Sequence, residues 1–207
     1  MSGITVHRGV VAPLREHNVN TDAIIPSREM RRVGKTGLGE ALFAGLRYRE
    51  GRVPEPSFVL NRPERAGASV LLGGRNFGCG SSREHAVWAL RDFGIRAVLA
   101  EGFGGIFLDN CVSNGVVPVD LPGEAIGAID AWSGADPQAR RATVDLRAMR
   151  VEAGPVSAPF TLRPDQRRML MEGLSPIDVT REEAGAAIEA FDRADRSARP
   201  WLHARPG

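Results

Sequence analysis

Apolar and polar positions change rhythm several times along this chain of 207 residues. Positions 6–14 are short and β-branched and predict an opening strand, followed by a polar loop over 15–22. Positions 27–52 are rich in Arg, Gly and Glu, and the run Arg31-Arg32-Val33-Gly34-Lys35-Thr36-Gly37 carries few apolar anchors, so it reads as a loop. A short apolar piece at 58–60 precedes chain breakers over 63–67. The middle third then alternates cleanly. A strand at 69–72 leads through a glycine-rich loop into a helix over 82–93, with Gly94 as its C-terminal cap. A strand at 95–100, a short helix at 105–113 closed by Asn114-Gly115, and a strand at 116–119 follow. Repetition at this spacing predicts a small parallel sheet with right-handed crossovers, a design that binds ligands beyond the carboxyl ends of its strands.

The last third predicts less regular pairing. A helix is expected over 124–132. Positions 143–150 alternate with period two, slipping at Met149, and are expected to pair with 159–162 as a hairpin. Positions 165–174 are helical in pattern, and a last helix is expected to begin at Thr180, where Thr180 and Glu183 have capping-box spacing. The segment 193–207 is charged and expected to fray. The expected class is α/β, one domain over 1–207 with its core at about 6–192.

Composition narrows the function classes. Hydrophobic content of 43% and charged content of 25% are ordinary for a water-soluble domain. A net charge of +2 gives no reason to expect nucleic acid or membrane as partner, and 6% aromatics disfavours a base-stacking surface. Two cysteines, Cys79 and Cys111, neither make a secreted disulfide framework nor ligate an iron–sulfur cluster unaided. No signal-peptide pattern and no membrane-length apolar run is present, which predicts a cytoplasmic enzyme or enzyme part.

The candidate chemistry sits in Asn76-Phe77-Gly78-Cys79-Gly80-Ser81-Ser82-Arg83-Glu84-His85. A strand, a glycine loop and a helix start aim unpaired N–H groups at one spot and so favour anions. Arg83 adds a planar fork suited to a carboxylate or phosphate. The plain alternative is that Ser81 or Ser82 merely caps the helix and Arg83 is solvated. The P-loop and dinucleotide patterns are both absent. Glu84 and His85 are adjacent on a helix and diverge by roughly 100°, so a shared metal is disfavoured and both read as structural.

Read together with Asn20-Thr21-Asp22-Ala23-Ile24-Ile25-Pro26 and with Asn110-Cys111-Val112-Ser113-Asn114-Gly115-Val116-Val117-Pro118, the string resembles the small-subunit family of 3-isopropylmalate dehydratase. These are the detached swivelling domains of the aconitase superfamily, and the resemblance runs from about residue 10 to about 190. It implies a swivelling β/β/α fold: a mainly parallel sheet flanked by helices, plus a C-terminal hairpin and helices. It implies a reversible loss and re-addition of water on a hydroxy-diacid, a step of leucine biosynthesis. By resemblance Ser81 is the proton-abstracting base and Arg83 clamps a substrate carboxylate. Ser82, Thr21 and Asp22 line the substrate, and the loop of Met30, Arg31, Arg32 and Val33 discriminates its side chain. No metal or cofactor is expected on this chain. A 4Fe-4S cluster is expected in a large-subunit partner, and the other ligand is a small dicarboxylate.

The chain departs from the family pattern at Asn20, where relatives often carry Asp, at Val87 and at Gly104-Gly105. These departures leave the reaction class intact and open the substrate. Citraconate, dimethylmalate or homoaconitate is the sibling alternative, and a non-catalytic dicarboxylate-binding module is the alternative of another class.

Overall fold

The structure is a computed structural model that describes residues 2–30 and 34–203. Its frame is a seven-stranded sheet in the order β4-β3-β2-β1-β5-β6-β7. The strands are β1 (Val6–Pro13), β2 (Ala68–Phe77), β3 (Ala97–Phe103), β4 (Val117–Asp120), β5 (Ala142–Asp145), β6 (Arg150–Ala153) and β7 (Val156–Pro159). β1 through β4 pair in parallel, and β1 hands over to the antiparallel β5, β6 and β7. One strand therefore joins a crossover-built half to a meander.

Successive residues of the central strands point to opposite faces, and both faces are covered. Val10, Leu71 and Val98 belong to one buried cluster, and Val11, Leu72 and Leu99 to the other. Double-sided burial explains why these strands read as continuous apolar runs rather than as alternation. The first cluster takes in α1 (Thr21–Ile24) and α3 (Glu84–Phe93), through Ile24, Ala86, Val87 and Leu90. A one-turn helix, α2 (Ala44–Arg47), lies beside α1 in the chain's first connection. The second cluster packs α5 (Gly123–Gly134) and α6 (Pro164–Glu172), through Ile126, Ile129, Met169 and Leu170. Between β3 and β4 runs α4 (Gly105–Ser113), where sequence predicts it.

Three expectations are corrected. The strand expected over 143–150 breaks in the middle, because Asp145 Oδ1 accepts the N–H groups of Arg147 (2.7 Å) and Ala148 (2.9 Å), and Met149 turns with φ of +53°. Met149 is where the alternation slips, and the single hairpin becomes the β5–β6–β7 meander. The last helix, α7 (Pro176–Ala198), starts before Thr180, since Ser175 and Asp178 form the capping box and Thr180 bonds back to Pro176 O at 3.0 Å. The segment expected to fray from Arg193 stays helical to Ala198 and ends in a turn at Pro200–Leu202. Ion pairs one helical turn apart, Glu189–Arg193, Asp192–Arg196 and Asp195–Arg199, favour that extension. Gly94 caps α3 as expected, with φ of +115°.

Candidate active site

The site lies where the loops after β1 and β2 meet, beyond the carboxyl ends of two parallel strands. The two loops are laced by backbone bonds: Gly78 N donates to Val19 O at 2.7 Å, and Thr21 N donates to Cys79 O at 3.0 Å. Two glycines make the approach feasible. Gly78 has φ of +73°, and a Cβ there would fall within 2.1 Å of the Phe107 ring. Gly80, at φ of +92°, swings the chain over Asn20 toward Ser81.

On the first loop, Asn20 caps α1, its Oδ1 accepting Ala23 N at 2.8 Å, which presents Thr21 and Asp22 to the second loop. Thr21 is 1% exposed, and its hydroxyl donates to Ser81 O at 3.1 Å while lying 3.4 Å from Ser81 Oγ. A threonine hydroxyl has one proton. With that proton on the carbonyl, Ser81 is the donor in the hydroxyl–hydroxyl contact. Rotating the Thr21 proton reverses the roles and makes Thr21 a donor to Ser81 Oγ.

Arg83 reaches back to Asp22 in an ion pair, with the guanidinium 24% and the carboxylate 52% exposed. Ser27 Oγ also donates to Asp22 Oδ1, at 3.2 Å. The Arg83 guanidinium, helped by Ser27, holds the Asp22 carboxyl below its ordinary range. Ser27 escaped the sequence reading, for which the only signal was a hydroxyl just past Pro26.

Neither serine caps α3, which sets aside the plain alternative that one of them merely caps the helix. The N-cap position falls on Arg83, with φ of −91° and no side-chain cap, and Ser81 O accepts Arg83 N at 2.8 Å instead. The helix starts late enough to leave both hydroxyls outside it. Ser82 is exposed, and its hydroxyl bonds none of the described residues. Ser81, Thr21, Arg83 and Asp22 are thus brought together. Met30 is half-buried against the first core cluster, whereas Arg31, Arg32 and Val33 lie outside the described residues. Glu84 turns away from the serines, accepting hydrogen bonds from Asn114 (2.8 Å) and Trp88 (3.2 Å), and the His85 ring lies 4.5 Å from that of Trp88.

The cysteines do not fit a cluster. Cys79 Sγ contacts Asn18 O at 3.4 Å, while Cys111 is wholly buried and its thiol is pushed up by that burial. Among the described residues no three His, Cys, Asp or Glu side chains converge as a metal site, and no helix is long and apolar enough to cross a membrane.

A family model described as the aconitase C-terminal domain matches residues 1–124. Over 207 residues the chain is 57% identical to the 3-isopropylmalate dehydratase small subunit of Cupriavidus necator, covering 98% of this chain and 99% of that protein. The chain belongs to the aconitase C-terminal domain family, among its 3-isopropylmalate dehydratase small subunits. The small subunit of Rhodospirillum centenum is 43% identical over 203 residues, covering 97% and 98% of the two chains. A crystal structure of 3-isopropylmalate dehydratase from Methanocaldococcus jannaschii matches with a TM-score of 0.65 at 25% identity, covering 90% of this chain and 99% of that one. The swivel-domain fold implied by the family is thus the one found.

Proposed function

We propose that this chain is the proton-transferring, carboxylate-binding half of a 3-isopropylmalate dehydratase, a hydro-lyase that exchanges hydroxyl and hydrogen between adjacent carbons of isopropylmalate through an unsaturated diacid. The convergence of Ser81 with Thr21, and of Arg83 with Asp22, from two separate loops carries this reading. Ser81, as alkoxide, takes the carbon-bound proton when water leaves and returns a proton to the neighbouring carbon when water adds. A serine hydroxyl is a very weak acid, so its anion persists only where donors converge and bulk water is excluded. Thr21 is buried, sits at the right distance and has one proton to turn. The exposure of Ser81 in the free chain supports a site that closes only against a second subunit.

Arg83 clamps a substrate carboxylate, exchanging it for the exposed Asp22. Thr21 and Ser82 contact the substrate, while Asp22 holds the guanidinium in readiness. The 4Fe-4S cluster belongs in this reading to the large subunit, since the two cysteines here do not fit one. Residues 30–33 discriminate the alkyl group. An apolar pocket separates neighbouring alkyl groups by only about 1–3 kcal/mol per methylene, so citraconate and dimethylmalate belong in the substrate panel.

The deciding experiment is anaerobic turnover of 3-isopropylmalate by this chain with and without a cluster-reconstituted large subunit. Turnover is expected only in the mixture. Ser81→Ala should lower kcat at least about a thousandfold with assembly intact, as expected for loss of the reacting group. Full activity in Ser81→Ala would remove the proposed base.

A further inference from the structure

Arg83 and Glu84 are consecutive, yet they hold different parts of the stretch that runs from α1 to α2. Arg83 holds Asp22, which in turn holds Ser27. Glu84 pairs with Lys35, Nζ to Oε1 at 3.9 Å. The Lys35 ammonium also lies 4.9 Å from the centre of the Trp88 ring and 3.5 Å from Asn114 Oδ1. Of the 27 lysines and arginines in the sequence, Lys35 is the only lysine.

Asn114 organises this cluster from inside. It is 2% exposed, and both donors and both acceptor directions of its amide are engaged. Nδ2 donates to Glu84 Oε1 at 2.8 Å and to Asn110 O at 2.9 Å. Oδ1 accepts Trp88 Nε1 at 3.0 Å and faces the Lys35 ammonium. The opposite amide orientation would set the oxygen against a carboxylate and the NH₂ against two cationic or N–H donors, so the neighbours fix the orientation. Arg91 anchors the backbone of the same residue, donating to Asn114 O at 2.8 Å.

We propose that Glu84, Trp88 and the buried Asn114 form a clasp for Lys35. By fixing the loop over 34–37 to the same helix start that carries Arg83, the clasp sets how tightly the dicarboxylate is held. Asn114 and Lys35 are positioning residues that act through Glu84 and the loop. This rests on the reading of Arg83 as the carboxylate clamp. Because Arg83 and Glu84 share one backbone segment, a shift of the loop at Lys35 moves the guanidinium that meets the substrate.

The single lysine supplies its own test. A lysine-specific endoprotease cuts this chain at one bond, after Lys35. The Glu84→Gln and Asn114→Ala chains should be cut about tenfold faster than wild type, since loss of the clasp frees the loop locally. Circular dichroism checks folding, and if Asn114→Ala fails to fold, the half-buried Glu84→Gln decides alone. Cleavage of folded Glu84→Gln at the wild-type rate overturns the clasp. In the reconstituted complex, Lys35→Met should raise KM about fivefold with kcat within twofold, and Lys35→Arg should restore KM. An unchanged KM in Lys35→Met overturns the link to substrate. A wild-type complex without turnover overturns the reading of function and not the clasp, which the protease decides in the chain alone.

Discussion

Single residues in the site are arranged around shortages of donors and protons. Thr21 has one proton and two oxygens of Ser81 to serve, so its rotation decides whether Ser81 gives or receives a hydrogen bond. Arg83 is spoken for by Asp22 in the structure, and in the proposed reaction it exchanges that partner for a substrate carboxylate. That pair gives a pH prediction. The folded carboxyl of Asp22 lies below its ordinary value, so its stabilising effect is fully present above the unfolded pKa of about 4 and is lost as pH falls through the depressed folded value. Urea midpoints of wild type and Asp22→Asn should therefore differ by a constant small amount from pH 7 down to about 5 and converge in strong acid. A gap that persists at the acid end would remove the ionic origin. At this scale the sequence was informative: the resemblance named Ser81, Thr21, Asp22 and Arg83, and the structure joins all four. Asn114, Trp88 and Lys35 were not legible as a unit. They are 26 to 79 positions from one another, and no local pattern announces a buried amide shared between a carboxylate and an ammonium.

Elements differ in how much of their stability they draw from the body. α3 is held by a fully buried face, Ala86, Val87, Ala89 and Leu90, which its apolar period foretold. α7 buries no residue, and Ile177, Ile188 and Phe191 stand exposed along it. Its start is set by the Ser175 cap, and its length by ion pairs within the helix. Ending the chain after Gly185 should then lower the melting temperature by less than about 3 °C, because little buried surface is lost. A drop of 10 °C or more would show that the helix braces the body. The start at Pro176 rather than Thr180 was hidden because both Ser175 and Thr180 are followed at three residues by an acid, so capping-box spacing alone does not choose between them.

The whole molecule is tied together by β1. Its neighbours Val10 and Val11 enter opposite core clusters, and its two edges pair with β2 and β5. Neither the parallel half nor the meander is complete without it. The isolated chain should therefore unfold in one transition, with near- and far-ultraviolet circular dichroism coincident and calorimetric enthalpy equal to the van't Hoff value. Two separated transitions would mean that the halves fold independently.

The sequence by itself determined the crossover-built half of the sheet and the glycine loop, and its family resemblance put forward Ser81 and Arg83 as the reacting groups of the proposed reaction. Those features are written in short-range signals: apolar runs bounded by breakers, a glycine at a helix end, and a string of small residues before a cation. Tertiary structure alone decided the direction in which β1 joins the meander, the release of both serines from capping, and the meeting of Asp22 with Arg83 across 61 positions. These depend on which loop lies against which, and that is set by the burial of two sheet faces at once rather than by any residue's own preference.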